Sequence, residues 1–549
     1  MQWIDLKKKL GKVPKRIWVL ILIIVIGFFL RTYHFRDWLE FNPDQARDAT
    51  VVENVLNGQS SWLILGPEAG NTRFDLGPWF YHLEIISAKI FGNAPDKLAY
   101  PDLLFSILAI PLFYLFLKKY FSSYLSLALT GLYAVSFFAV RYSRFAWNIN
   151  SIPFFVLLFL LGMLYLVGSD RKKGLWGAVM AGVGIGVGIQ LHILLFFIMP
   201  SVTALAFLYL FLRKSPIVPL IGKIGIIFLL VLVTNAGQII YEVKNHGLNT
   251  HMFIKSFKDS TVKIALGENL QADALCQVQA NLHIISSLGN NEQCDFYQIY
   301  KKFLHPGNTL AKPVSNVSAM LVLIGALYSL GGYLLLAYFW RRENDERKKN
   351  FLMLVGIYGA VTFAAMFPVI SQVALRYFLV SFFLPFILLG IMVQGLLRLR
   401  IAGIKSAIVV VFIALFALNG ITEAKSTEKF FARNTNDDKN SVLGETEAMA
   451  NYLIANANGS KIVYLKGDES YVKRFSKPLG YLLERSGIEL KDSENTAGDS
   501  SPDAPVFFVV KSKNGKYGIG GKIGAYSEIK QIKIFNNVTI IIPDENRTD

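Results

Sequence analysis

Two carboxylates stand four residues apart in Phe41-Asn42-Pro43-Asp44-Gln45-Ala46-Arg47-Asp48-Ala49. On a helix, Asp44 and Asp48 share a face with Arg47 beside them. A carboxylate there, partly shielded from water, can take the proton of an attacking hydroxyl. The same residues also read as a plain helix start. Asn42 suits the N-cap, Pro43 the first helical position and Gln45 the capping-box position, leaving Asp44 to complement the helix dipole.

Cations recur downstream. Arg73-Phe74-Asp75-Leu76-Gly77-Pro78-Trp79-Phe80-Tyr81-His82 places Arg73 and His82 around an aromatic helix start. Either meets a phosphate at a lipid surface, or the run is only an interfacial aromatic belt. Arg141-Tyr142-Ser143-Arg144-Phe145-Ala146-Trp147-Asn148-Ile149-Asn150 carries two more arginines, and Arg376-Tyr377 a third. Bound anions or snorkelling to headgroups would each account for them. Gly182, Gly184, Gly186 and Gly188 lie inside an apolar run, so their spacing points to close helix packing and not to a phosphate loop. Gln190 and His192 follow at its outer end, where His192 lines a cavity or is a satisfied structural histidine.

These residues hang on apolar blocks of about 17 to 22 residues, each long enough to cross a hydrocarbon core of about 30 Å. The expectation is a polytopic membrane bundle with about eleven crossings. The first block, Trp18 to Leu30, follows Lys7-Lys8-Lys9, Lys12 and Lys15-Arg16 and lacks a cleavage site, so it reads as a retained anchor. With that block placed at 17–35, further spans are expected near 99–117, 123–140, 175–191, 219–240, 351–370 and 404–421. The clusters Lys118-Lys119, Arg171-Lys172-Lys173, Arg213-Lys214, Arg341-Arg342 with Arg347-Lys348-Lys349, and Arg398 with Arg400 and Lys405 then share the cytoplasmic side with the N-terminus. This holds only if the short apolar segment 78–91 lies flat in the interface; if it spans, every cluster moves outside. Such a distribution accounts for the net charge of +17 without nucleic acid.

Outside lie a first loop (36–98), a turn (141–150), a long loop (241–315) and a polar C-terminal part. The division is 1–421 for the membrane domain and 422–549 for a small extracytoplasmic α/β domain. That domain reads as helix 442–457, strand 461–466, helix 470–486, a linker at 492–504, and strands near 505–511 and 527–542. Cys276 and Cys294 both fall in the outer loop, the compartment that permits oxidation, so a disulfide is expected. Helix interiors carry few ionisable groups, which argues against an ion-coupled transporter.

In this order, Asp44-Gln45-Ala46-Arg47-Asp48, Gly77-Pro78, Arg144 to Asn150 and Arg376-Tyr377 resemble the motifs of the GT-C superfamily of membrane glycosyltransferases. The resemblance covers roughly residues 15–400 and points in particular to bacterial relatives of protein O-mannosyltransferases and of the lipid A aminoarabinose transferase. It implies a mainly α, GT-C-type helical bundle with juxtamembrane helices in the cell membrane. It also implies a reaction: an acceptor hydroxyl, on a lipid, glycan or protein, attacks a sugar carried on a polyprenyl phosphate, usually with inversion. Asp44 matches the base, with Asp48 beside it as a second catalytic candidate. Arg47, Arg73, Arg141, Arg144 and Arg376 would face the donor phosphate. Tyr81, His82, Asn148, Asn150, His192 and Tyr377 would line the substrate cavity.

Three departures stand out. Gln45 replaces an acid, Gly77 stands where a basic residue is usual (with Arg73 the substitute), and Asn148 and Asn150 occupy a turn where the family has an acid. Hard cations want carboxylates, so no metal and no cofactor are expected. A flippase for lipid-linked glycans and a non-catalytic assembly protein are the competing readings.

Overall fold

The computed structural model describes residues 14–70, 72–168, 171–213, 217–260, 266–289, 292–304, 316–431, 441–492, 504–513, 516–517, 529–535 and 537–543. The basic residues Lys7, Lys8, Lys9, Lys12 and Lys214, and nearly all of the linker expected at 492–504, lie outside the described residues.

The membrane part runs through helices α1 (Lys15–Thr32), α2 (Pro43–Leu56), α3 (Trp79–Phe91), α4 (Tyr100–Leu117), α5 (Ser123–Val135), α6 (Ile152–Val167), α7 (Arg171–Leu191) and α8 (Ile193–Leu212). It continues through α9 (Ile217–Thr234), α10 (Leu248–Ser260), α11 (Leu266–Ser286), α12 (Asn316–Arg342), α13 (Glu346–Met366), α14 (Leu384–Arg398) and α15 (Ile404–Phe431). Among the described residues, six helices are long and apolar enough to cross a bilayer, or eight if each of two bent pairs is one span. The expected count was eleven. Every expected apolar block is helical, but α5 and α6 have only 13 and 16 residues, and α1 carries Lys15, Arg16 and Arg31 in its 18.

Helix α3 has 13 residues, hence a length of about 20 Å, too short for a hydrocarbon core of about 30 Å. It packs against α2, α4 and α7. The glycines of α7 allow close approach on two sides. A Cβ on Gly182 or Gly186 would lie 2.9 Å or 2.1 Å from side chains of α9, and one on Gly184 would lie 2.8 Å from Phe159 of α6.

Several expected spans are broken. The segment 123–140 interrupts at Ser136, whose hydroxyl donates to the Ile284 carbonyl at 2.7 Å. The chain bends by 65° between Thr234 and Ala236. Arg376 and Tyr377, expected to open a helix, lie in a 3-10 segment, Leu375–Ser381, that meets α14 at 63°. Pro385 in the first turn of α14 lacks the N–H that a continuous helix would use. The segment 241–315 is more than a loop: it holds α10, α11 and a helix at Phe296–Leu304. Helix α11 buries Cys276, Ala280, Leu282, Ile284 and Ile285 within the bundle. Cys276 and Cys294 are joined in a disulfide.

The C-terminal part has helices α16 (Leu443–Ala455) and α17 (Glu469–Glu484) against a sheet of β1 (Ile462–Gly467), β2 (Glu489–Asp492), β3 (Val506–Lys513), β4 (Lys516–Tyr517), β5 (Ile529–Phe535) and β6 (Val538–Pro543). The order is β2-β1-β3-β6-β5, with β4 on β3. Strands β1, β2 and β3 are parallel, and β6 is antiparallel to β3 and β5. The expected strand near 527–542 is a hairpin of two. Strand β2, short and polar at the sheet edge, carries no alternation that sequence could reveal. Helix α17 sets Val472, Phe475, Leu479 and Leu483 under the sheet. Its other side packs on α2, with Tyr481 against Phe41 at 5.8 Å. A short ladder completes the join: Phe41 N–H donates to Ser441 O at 2.9 Å, and Leu443 N–H to Leu39 O at 2.8 Å.

Candidate active site

Helix α2 begins as a capping box. Gln45 Oε1 accepts from the Asn42 N–H at 3.1 Å, and Pro43 occupies the first turn. The Gln45 amide nitrogen also donates to Ala146 O at 3.2 Å. Gln45 thus ties α2 to the turn after α5. This start leaves Asp44 exposed and turns Asp48 inward.

Arg47 bridges the two carboxylates. Its Nη1 lies 3.3 Å from Asp44 Oδ1, and its Nε and Nη2 lie 2.9 and 2.8 Å from Asp48 Oδ1. Tyr81 Oη donates to the same Asp48 oxygen at 2.8 Å. Asp48 Oδ2 is buried without a hydrogen-bond partner. Burial pushes the Asp48 carboxyl up to about 6, against the opposing pull of Arg47 and Tyr81. Glu84 lies deeper in α3 with both oxygens unpartnered, and burial holds its carboxyl well above the usual range.

The turn after α5 is held by polar side chains that tie it to α4, to α7 and to itself. Asp102 accepts from the Trp147 N–H at 2.9 Å and from the Ser151 hydroxyl. Asn148 Nδ2 donates to Leu191 O at 2.6 Å, and Asn150 Nδ2 to Phe145 O at 2.7 Å. At the break between α7 and α8, His192 Nδ1 accepts from the Leu194 N–H at 3.1 Å, which leaves Nε2 to carry the ring proton. Burial, with Arg376 nearby, brings this imidazole down to about 4, so it is neutral. Residues 66–70 pair with 72–77 as a hairpin, with Gly66 N–H on Leu76 O and Ala69 N–H on Phe74 O, both at 2.8 Å.

These pieces enclose one cavity of about 610 Å³. Asp44, Arg47, Asn148, His192, Arg376 and Tyr377 meet there. The guanidinium of Arg376 lies 5.6 Å from the Trp147 ring and 5.3 Å from that of Tyr377. Among the described residues it faces no carboxylate at ion-pair distance. Apolar side chains, Ile193, Leu194, Phe197, Phe253, Val369 and Val373, also line the cavity. Lys477 of α17 and Glu68 of the hairpin also line it. Sequence reasoning missed both, along with Trp147 and Asp102, because nothing in their local sequence announces the juxtaposition.

Other expected site residues lie elsewhere. Asp48 and Tyr81 are buried behind α2 and support Arg47. Arg73 is exposed at the hairpin tip in the left-handed region, φ 57°. His82 Nε2 is 2.8 Å from Leu63 O, and its ring stacks on Trp62. Arg141 pairs with Glu40 at 3.5 Å and Glu292 at 4.0 Å. Arg144 is buried and donates to Leu30 O and Tyr33 O, bracing the end of α1. Asn150 lines a separate small void near Tyr142 and Phe382. Among the described residues, no three His, Cys, Asp or Glu side chains converge as metal ligands.

A half-exposed arginine paired with two carboxylates, a second arginine with no carboxylate at ion-pair distance among the described residues, and apolar side chains thus share one cavity. Residues 75–236 match the family model described as dolichyl-phosphate-mannose-protein mannosyltransferase. Among solved structures, ArnT from Cupriavidus metallidurans bound to undecaprenyl phosphate superposes with a TM-score of 0.51 at 11% identity, over 96% of this chain and 97% of that one. The apo oligosaccharyltransferase from Archaeoglobus fulgidus gives a TM-score of 0.48 at 15% identity, over 87% of this chain and 65% of that one. No curated protein matches the chain by sequence. The chain is a multi-pass membrane protein with the fold of ArnT, and it resembles the GT-C membrane glycosyltransferases.

Proposed function

We propose that this chain is an integral membrane glycosyltransferase that moves a sugar from a polyprenyl-phosphate donor to an acceptor hydroxyl on the extracytoplasmic face. The single observation that carries this reading is the composition of the cavity at Asp44 and Arg376. Its apolar lining suits an isoprenoid, Arg47 and Arg376 suit the phosphate, and Asp44 supplies a carboxylate for the acceptor. The ArnT structure of the same fold holds undecaprenyl phosphate, which supports a donor of this class.

In this mechanism Asp44 takes the proton of the acceptor hydroxyl as its oxygen attacks the anomeric carbon from the face opposite the phosphate, with inversion. The bond to the phosphate oxygen breaks, and the charge that develops there is met by Arg47 and Arg376. Asp48 and Tyr81 hold Arg47 in place. His192, neutral with a proton on Nε2, donates a hydrogen bond without adding charge. The reaction uses no metal. The acceptor is a lipid, glycan or protein hydroxyl, and the N-terminus lies in the cytoplasm.

Asp44→Asn tests this reading. Transfer from a lipid-linked donor should fall by about a hundredfold or more, as expected when a general base is lost, while donor binding persists. Unchanged transfer by that variant would remove Asp44 from the mechanism.

A further inference from the structure

We propose that the Cys276–Cys294 disulfide is a positioning device for Arg376, so that donor binding depends on the oxidised state of this pair. The inference rests on the reading above that Arg376 meets the donor phosphate. It starts from the backbone around that residue. Arg376 sits in a 3-10 segment bent by 63° from α14, so no continuous α-helical ladder fixes its direction. No carboxylate among the described residues lies at ion-pair distance from its guanidinium, which the rings of Trp147 and Tyr377 flank.

What fixes the backbone is the segment 292–296. Gln293 pairs with Ala374 as an antiparallel bridge, and the Leu375 N–H donates to Glu292 O at 3.0 Å. Arg376 is the next residue. The far side of 292–296 is held to α11 by two devices. The disulfide joins Cys294 to Cys276. Three residues further along α11, the Gln279 amide grips the same segment: its Nε2 donates to Gln293 O at 2.8 Å, and its Oε1 accepts from the Asp295 and Phe296 N–H groups at 2.8 and 3.0 Å. Helix α11 is in turn anchored in the bundle. Ser136 Oγ donates to Ile284 O at 2.7 Å, and Asn419 Nδ2 donates to Ile285 O at 2.8 Å.

Contacts therefore run without interruption from the bundle through α11 and the 292–296 segment to the backbone that carries Arg376. The disulfide closes a stretch of 18 residues onto α11. Opening it removes one of these two ties to α11, and the chain entropy of the opened stretch works against the Gln279 bonds that remain. Reduction by an added dithiol converts Cys276 and Cys294 to two thiols, while the dithiol closes into its own disulfide.

The experiment is equilibrium titration of undecaprenyl phosphate into the full chain in nanodiscs. It compares the unmodified protein with Arg376→Ala, with the pair Cys276→Ser and Cys294→Ser, with Gln279→Met, and with each of these combined with Arg376→Ala. Arg376→Ala should weaken binding by about tenfold or more, the scale of a hydrogen bond to a charged group. Loss of the disulfide, by substitution or by reduction, should weaken it several-fold, and so should Gln279→Met, which keeps the disulfide and side-chain volume. Adding Arg376→Ala to either should then cause much less further loss than it does alone. Fully additive losses, or unchanged affinity without the disulfide, would overturn the proposal. An Arg376→Ala variant that binds normally would instead refute the phosphate reading on which the proposal rests. Gln279→Met decides the matter if the cysteine pair does not fold.

Discussion

Replacing Tyr81 by Phe probes how the site holds its charge. Asp48 Oδ1 accepts from Tyr81 and from Arg47, and Oδ2 has no partner. Burial lifts its carboxyl from the ordinary 3.8 to about 6. Deleting the phenol oxygen removes one of the two groups that favour the charged form. A hydrogen bond to a charged group contributes about 1.5 to 3 kcal/mol, and 1.36 kcal/mol corresponds to one pH unit, so the Asp48 midpoint should rise by about one to two pH units. A protonated Asp48 no longer orients Arg47 at the phosphate. In the wild type, transfer should therefore fall as pH drops through about 6. In Tyr81→Phe the same fall should centre near pH 7 to 8, about one to two units higher.

Stability moves the other way. The folded midpoint lies above the unfolded one, so the contribution of Asp48 is fully present below about 4 and is lost as pH rises through about 6. A loss of activity at low pH is then not unfolding driven by this residue. The assay is initial transfer rate from a polyprenyl-phosphate donor in nanodiscs between about pH 5 and 9, with retained fold checked at each pH. A Tyr81→Phe profile scaled down uniformly, with its midpoint in place, would refute the argument.

Four further outcomes are expected. Arg144→Ala removes the hydrogen bonds to two part-buried carbonyls, so thermal unfolding should show a loss of about 1 kcal/mol of stability for each bond, with donor affinity unchanged in the folded fraction. Gly77→Ala would place a Cβ 2.2 Å from the Gln190 side chain; it should destabilise by about 1 to 3 kcal/mol, and Gln190→Ala in the same chain should recover part of that in thermal unfolding. Ala365→Trp narrows the cavity near its apolar wall, so KM for the lipid donor should rise by about tenfold while that for the acceptor stays, as steady-state kinetics would show. EDTA should leave transfer unchanged; loss of activity that Mn²⁺ or Mg²⁺ restores would contradict metal independence.

Much of this protein is local in its sequence. Apolar blocks declare membrane helices because every backbone group in lipid must bond within its own segment. The start of α2 was legible from Asn42, Pro43 and Gln45, since capping depends on neighbours three residues away. The disulfide partners were legible because the chain offers only two cysteines. The tertiary structure decided which polar residues share a cavity. Of five arginines of similar aspect, packing brings Arg47 and Arg376 into the cleft, points Arg144 at backbone carbonyls and gives Arg141 to Glu40. Asp44 and Asp48 share a helix face by spacing, yet docking of α3 buries one and leaves the other open. Lys477 enters from a helix more than 400 residues along the chain from Asp44, through the seat of α17 on α2. Helix periodicity is set by each residue's near neighbours in sequence; burial and charge pairing are set by which distant segments meet, and no local pattern encodes that.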